Sequence, residues 1–145
     1  MAGRVEAINV SRKKGTAKTS VPSAELRVDH GVVGDAHAAP WHRQVSLLAL
    51  DAIESALSLK MPEAAGRFAE NLTVRDLPPE SYVVGTRLRI GGDVVLEISQ
   101  IGKECHTKCA IYRQVGDCIM PRLGLFARVV EGGSVKAGDA VEVIP

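Results

Sequence analysis

All three cysteines of the chain, Cys105, Cys109 and Cys118, fall between Ile101 and Cys118, in company with His106 and the cations Lys103, Lys108 and Arg113. Thiolate is the form of cysteine that attacks electrophiles and binds metals, and neighbouring cations lower the thiol pKa. This segment is therefore the leading candidate for chemistry. A second thiol, Cys109 or Cys118, can resolve an oxidised Cys105 and protect it from over-oxidation. Either can equally bind metal or pack as a small apolar side chain. Cys105, His106, Cys109 and Cys118 also have the number and type of ligands for tetrahedral zinc. The spacing Cys-x3-Cys-x8-Cys lacks paired Cys-x2-Cys knuckles, so zinc is the weaker reading.

Asp35, His37 and His42 form a second possible ligand set in a polar loop, where histidines are more often solvated or hydrogen-bonded than metal-bound. Asn71 is expected to shape its loop through side-chain to backbone hydrogen bonds, with ligand contact as the alternative. The basic stretch Arg12-Lys13-Lys14, with Lys18, reads as a solvated face or a partner-docking surface.

The elements that must hold these groups are short. At 145 residues the chain fits one domain, residues 1–145, able to bury a core without staples. Eighteen basic and seventeen acidic side chains nearly cancel, which removes any global electrostatic reason to bind nucleic acid or a membrane surface. Any anion site must be local. The N-terminus carries charges where a signal peptide needs an apolar stretch, and no apolar run has membrane-spanning length, so a cytoplasmic location is expected. In that reducing compartment an odd number of cysteines favours free thiols, metal ligands or catalytic groups over structural disulfides.

Glycine and proline punctuate segments rich in Val, Ile and Leu, and only one segment reads as a helix. Strands are expected at Val5–Val10, Ala24–Val33, Gln44–Leu48 and Phe68–Val74, with a mobile loop over Ser11–Ser20. Asp51 is the expected N-cap of a helix of two to three turns, stopped near Pro62. Val83–Ile98 predicts a hairpin turning at Gly91-Gly92-Asp93, and Leu125–Ile144 a strand, a turn and a closing strand. The fold class is mainly β: a single closed or nearly closed barrel-like domain with one principal helix.

The order of the motifs is more specific than any one of them. Gly34-Asp35-Ala36-His37 precedes Arg43-Gln44-Val45-Ser46-Leu47; Gly66-Arg67-Phe68-Ala69-Glu70-Asn71-Leu72-Thr73 follows. Then come Gly102-Lys103-Glu104-Cys105-His106, Phe126-Ala127-Arg128-Val129 with Gly132-Gly133, and Lys136-Ala137-Gly138-Asp139. This succession resembles the MOSC domain, related to the C-terminal part of molybdenum-cofactor sulfurases, and is most similar to the small stand-alone prokaryotic members. The resemblance implies a β-barrel-like fold with a hallmark cysteine shortly after a strand ending in Ser-Gln. Here Ile98-Ser99-Gln100 precedes Cys105, which takes the hallmark role as catalytic cysteine, persulfide carrier or molybdenum ligand.

The resemblance further implies a molybdopterin-binding pocket lined by basic residues, with Arg43, Arg67, Asn71, Lys103, His106 and Arg128 as the cofactor-binding candidates. Forked Arg contacts suit an anionic pterin phosphate. Ion pairs of the arginines with Glu70, Asp35 or Asp139 are the alternative. The implied functions are sulfur transfer linked to the molybdenum cofactor, or binding of that cofactor. The rivals are a molybdenum-dependent reductase of N-hydroxylated compounds and a non-catalytic zinc or interaction module. With no cysteine-desulfurating domain ahead of it, the chain is expected to need a sulfur donor protein or cofactor-biosynthesis enzymes as partners.

Overall fold

The structure, a computed structural model, describes residues 3–102 and 119–145. Eleven strands are assigned there: β1 (Gly3–Val10), β2 (Thr19–Val21), β3 (Ser23–Arg27), β4 (Gly31–Val32), β5 (Val45–Ala49), β6 (Leu72–Arg75), β7 (Arg87–Ile90), β8 (Val94–Ile101), β9 (Leu125–Glu131), β10 (Gly133–Lys136) and β11 (Ala140–Ile144). Helix α1 spans Leu50–Leu57, a 3-10 turn spans Pro79–Tyr82, and a single helical turn, α2, spans Met120–Leu123.

Seven strands close into a barrel in the order β1-β6-β5-β9-β8-β7-β11. The seam is β1 against β11, with Gly3 opposite Val141 and Arg4 opposite Ala140. Closure removes the unpaired edges that an open sheet of this size would expose. β2 extends β1 at its far end, and β10, β3 and β4 form a separate three-stranded sheet. Alternation along the strands sorts the apolar residues into two clusters. Val45, Leu47, Leu72, Val74, Leu96, Ile98, Leu125, Ala127 and Val129 belong to the larger, barrel cluster. Leu48 and Phe126, at intervening positions on β5 and β9, pack with Leu50, Ile53, Phe68, Ile119 and Met120 in an outer cluster beneath α1.

Several expected boundaries move. The glycine hairpin is present, Ile90 pairing with Val94 around Gly91–Asp93. Ala24–Val33 is not one extended run: β3 and β4 fold back on each other, with Leu26 opposite Val32. β6 starts at Leu72 rather than Phe68, because the preceding turn bends the chain around the Glu70 carboxylate, which accepts the Gly66 and Phe68 N–H groups at 2.9 and 3.2 Å. Asp51 does not cap α1. Ala49 occupies that position without a side-chain bond, and Asp51 lies in the first turn, where its charge favours the positive end of the helix dipole. The helix ends before Pro62, at Ser58 in the left-handed conformation. The loop after Ser11 is pinned at its far end, where Lys18 is buried.

Candidate functional site

Three of the motifs singled out along the sequence, those around Asp35, Ser46 and Gly66–Thr73, are joined by hydrogen bonds, the first through Lys18. Lys18 is gripped twice. Its backbone N–H donates to the Gly66 carbonyl at 2.8 Å. Its ammonium donates to Asp35 Oδ1 at 2.7 Å and Ser11 Oγ at 3.1 Å, and lies 3.0 Å from His37 Nδ1. Gly66 is required at this contact: its φ is +76°, and a Cβ there would stand 2.2 Å from the Lys18 carbonyl oxygen.

The Asp35 carboxylate is held well below the usual carboxylate range. Burial opposes its charge, but hydrogen bonds from His37 and Lys18, with the Lys18 charge, outweigh that penalty. The same Oδ1 also accepts the Ser11 N–H at 3.0 Å, while Oδ2 accepts the His37 N–H at 3.1 Å.

A second interlock joins the Ser46 and Asn71 motifs. Asn71 Oδ1 accepts the Ser46 N–H at 3.0 Å, the Asn71 N–H donates to Ser46 Oγ at 3.0 Å, and Nδ2 donates to the Asn9 carbonyl at 3.1 Å. Asn9 in turn donates to the Glu70 carbonyl and to Thr73 Oγ1, both at 3.0 Å. Glu70 is fully buried, and burial raises its pKa despite hydrogen bonds from Thr73 and the Gly66 and Phe68 backbone. These buried polar groups brace β1, β5 and β6 against one another.

From this base the loop runs to Arg43. Trp41 Nε1 donates to the His37 carbonyl at 2.9 Å. The Arg43 guanidinium carbon then lies 4.6 Å from the centroid of the Trp41 ring and 5.7 Å from that of Phe126. Arg43 forms no hydrogen bond or ion pair with a described residue, and its Nε is buried without a partner. An aromatic-stacked guanidinium with unused N–H groups has the chemistry of an anion receptor.

Next to it His42 Nε2 lies 2.8 Å from Gln100 Oε1. Gln100 Nε2 donates to the Gly102 carbonyl at 2.7 Å, which turns its oxygen towards His42 and makes His42 Nε2 the donor. Ser99 Oγ lies within hydrogen-bond reach of the carbonyls of His42 and Phe126, and its single proton serves one of them at a time. Phe126 pairs with Gln100 across β8 and β9, and the Gly102 N–H donates to the Gly124 carbonyl at 2.7 Å. Arg43 therefore packs against the strand pair that leads into the cysteine segment and out of it.

The remaining candidates are placed as follows. Arg67 is exposed, with Nε donating to the Glu63 carbonyl at 2.9 Å. Arg128 is exposed on β9, cross-strand from Glu97. Asn71 is buried with both ends of its amide in use. Cys105, Cys109, Cys118, Lys103 and His106, and with them the sulfur and zinc readings, lie outside the described residues. The proposed Asp35, His37 and His42 metal set does not assemble: no group of three potential ligands gathers among the described residues. Asp35 is paired with Lys18 rather than with any of the arginines, and the reading of Lys18 as solvated is corrected, since its side chain has no exposure. Sequence reasoning missed Lys18 as a site residue, and the only available signal was the excess of cations in a loop that needs few.

The arrangement defines a class: a small β-barrel whose loops interlock beneath a stacked arginine at the root of a cysteine-bearing segment. The MOSC domain family matches residues 33–142, and the chain belongs to that family. Among solved structures it is similar to the YuaD protein from Bacillus subtilis, with a TM-score of 0.76 and 16% identity over 99% of this chain and 96% of that one. YiiM from Geobacillus stearothermophilus matches with a TM-score of 0.69 and 19% identity, over 99% and 75% of the two chains. YiiM from Escherichia coli gives 0.69 and 20%, over 100% and 70%. A protein from Gibberella moniliformis described as "Reductase" is 26% identical over 91% of this chain, which spans 27% of that protein's length. No helix among the described residues is long and apolar enough to cross a membrane.

Proposed function

We propose that this domain binds the molybdenum cofactor through its anionic pterin phosphate and presents the Cys105 thiol to it, as a carrier of sulfane sulfur or as a ligand to the metal. The carrying observation is Arg43: a cation stacked on Trp41 and Phe126, with a buried Nε that has no partner, packed on the strands that flank the cysteine segment. A buried, unpaired guanidinium N–H costs free energy unless a ligand uses it, and the three oxygens of a phosphate suit its fork. The described residues thus fit the anionic end of the cofactor. Arg43 would hold the phosphate, with Arg67, Asn71, Lys103, His106 and Arg128 as further candidates and Cys105 at the metal end. When bound, the cofactor supplies a redox-active centre for sulfur or oxygen transfer. The protein's own part is to orient the anion and, through the cations next to Cys105 in the sequence, to lower the thiol pKa. A cytoplasmic setting and a sulfur donor protein, or enzymes of cofactor biosynthesis, accompany this reading.

The relative described as "Reductase" favours a second reading, a molybdenum-dependent reductase, in which this domain is one part of the electron path.

The test combines metal analysis with mass spectrometry. Protein expressed where the cofactor is made should copurify with molybdenum, and Arg43→Met should lose it. In a separate arm, a persulfide donor should add one sulfur mass at Cys105 and none in Cys105→Ser. Zinc in place of molybdenum would favour the non-catalytic module, while absence of both molybdenum and sulfur uptake would remove the proposal.

A further inference from the structure

Trp41 carries a second cation. The Lys14 ammonium lies 5.3 Å from the centroid of the same ring over which Arg43 is stacked, and Lys14 makes no hydrogen bond or ion pair with a described residue. Two positive groups thus share one indole. The carboxylate that precedes Trp41 and Arg43 in the same loop, Asp35, is already engaged by Lys18, the Ser11 N–H and the His37 N–H. Attraction to a ring still open to solvent is worth only about 0.5–1 kcal/mol per cation, so it offsets little of the repulsion between them. A ligand with two negative charges would turn that repulsion into binding.

The segment bearing Lys14 is also held in place. Asp35 Oδ1 accepts from Ser11 at one end and from the Lys18 ammonium at the other, and the Ala36 N–H donates to the Ser11 carbonyl at 2.8 Å. Asp35 belongs to the loop that goes on to Trp41 and Arg43, so one carboxylate fixes both walls around the indole.

We propose that residues 11–18 form the second wall of the Arg43 site, with Lys14 as the second cation for a phosphate monoester dianion and Lys18 as the wall's anchor. This deepens the anion-site reading and rests on it. Selectivity follows from charge: a dianion engages both cations, whereas a monoanion gains little from the second.

Trp41 is the only tryptophan of the chain, so its fluorescence reports on the site directly. Inorganic phosphate and nitrate would be titrated at constant ionic strength, with calorimetry as a second readout should the fluorescence be silent. Phosphate should bind and nitrate should bind more weakly. Lys14→Met should raise the phosphate Kd roughly tenfold. It should leave the nitrate Kd nearly unchanged, and Lys13→Met should change neither. If Lys14→Met binds phosphate like the parent while Arg43→Met does not, the second wall is wrong and the Arg43 site stands. Should phosphate fail to bind the parent by either readout, or bind Arg43→Met equally well, both readings fall together.

Discussion

The Lys18 ammonium stands 2.7 Å from the Asp35 carboxylate with neither side chain exposed, in a loop that otherwise consists largely of solvated polar residues. A buried pair of this kind is strongly destabilising to break, because the survivor is left as an uncompensated charge. Lys18→Met and Asp35→Asn should each lower unfolding free energy by about 3–5 kcal/mol, read by urea denaturation followed through Trp41. The pH dependence has a definite sign. Asp35 is depressed in the folded state, so its contribution is fully present above its unfolded pKa of about 3.9 and is lost as pH falls through the lower folded value. The parent should therefore lose stability on the acid side of about pH 4, and Asp35→Asn should lack that component.

Glu70 titrates in the opposite sense. Its folded pKa is raised, so the native state holds the proton where the unfolded chain has released it. Stability from this group is present below the unfolded value of about 4.3 and declines as pH rises through the higher folded value. In Glu70→Gln that slope should disappear. The variant should also be weaker at neutral pH by about 1–3 kcal/mol, because either orientation of its amide sets an NH2 against a donor from Gly66, Phe68 or Thr73. Denaturation curves at intervals between about pH 4 and about pH 8 separate the two effects.

Gly66 and Gly85 offer a matched comparison of backbone strain and close approach. Both have positive φ, +76° and +96°, but an added Cβ would collide with the Lys18 carbonyl only at Gly66, while Gly85 has nothing within 4 Å. Gly85→Ala should cost only the backbone strain, about 1–3 kcal/mol. Gly66→Ala should cost visibly more and should also perturb Trp41 emission, since displacing Lys18 disturbs the His37 carbonyl that accepts the indole N–H. Equal losses in the two variants, with unchanged emission, would refute the proposed linkage.

Much of the barrel was legible because its signals are local. The β7–β8 hairpin announces itself through two apolar segments and a glycine turn, and α1 through one amphipathic run. The site was legible only in part. Lys18 reads as a surface cation among Arg12, Lys13 and Lys14, and its burial depends on Asp35, seventeen positions away, arriving through the tertiary fold. Arg43 was recognisable as a cation of the right motif. Its stacking on Phe126 arises from neighbouring strands, β5 and β9, that lie far apart in sequence. The Glu70 turn reads as strand because its apolar neighbours mimic one, while the carboxylate that bends the chain bonds mainly to backbone N–H groups whose direction no residue pattern encodes.

Asn71 and Arg43 are both cofactor-binding candidates, and the structure predicts opposite behaviour for them without any ligand. Asn71→Ala removes the acceptor of the Ser46 N–H and the donor to the Asn9 carbonyl, both buried, and should cost about 1–3 kcal/mol for each group left unsatisfied. Arg43→Met removes a cation whose contacts are two aromatic rings, and it replaces an unpartnered buried N–H with an apolar stem. Its stability should stay within about 1 kcal/mol of the parent, because the lost cation–π attraction is offset by relief of that desolvated group. Chemical denaturation of the two apo variants decides the matter. A large loss in Arg43→Met would mean that the guanidinium is structural, and an unchanged Asn71→Ala would free Asn71 for the ligand.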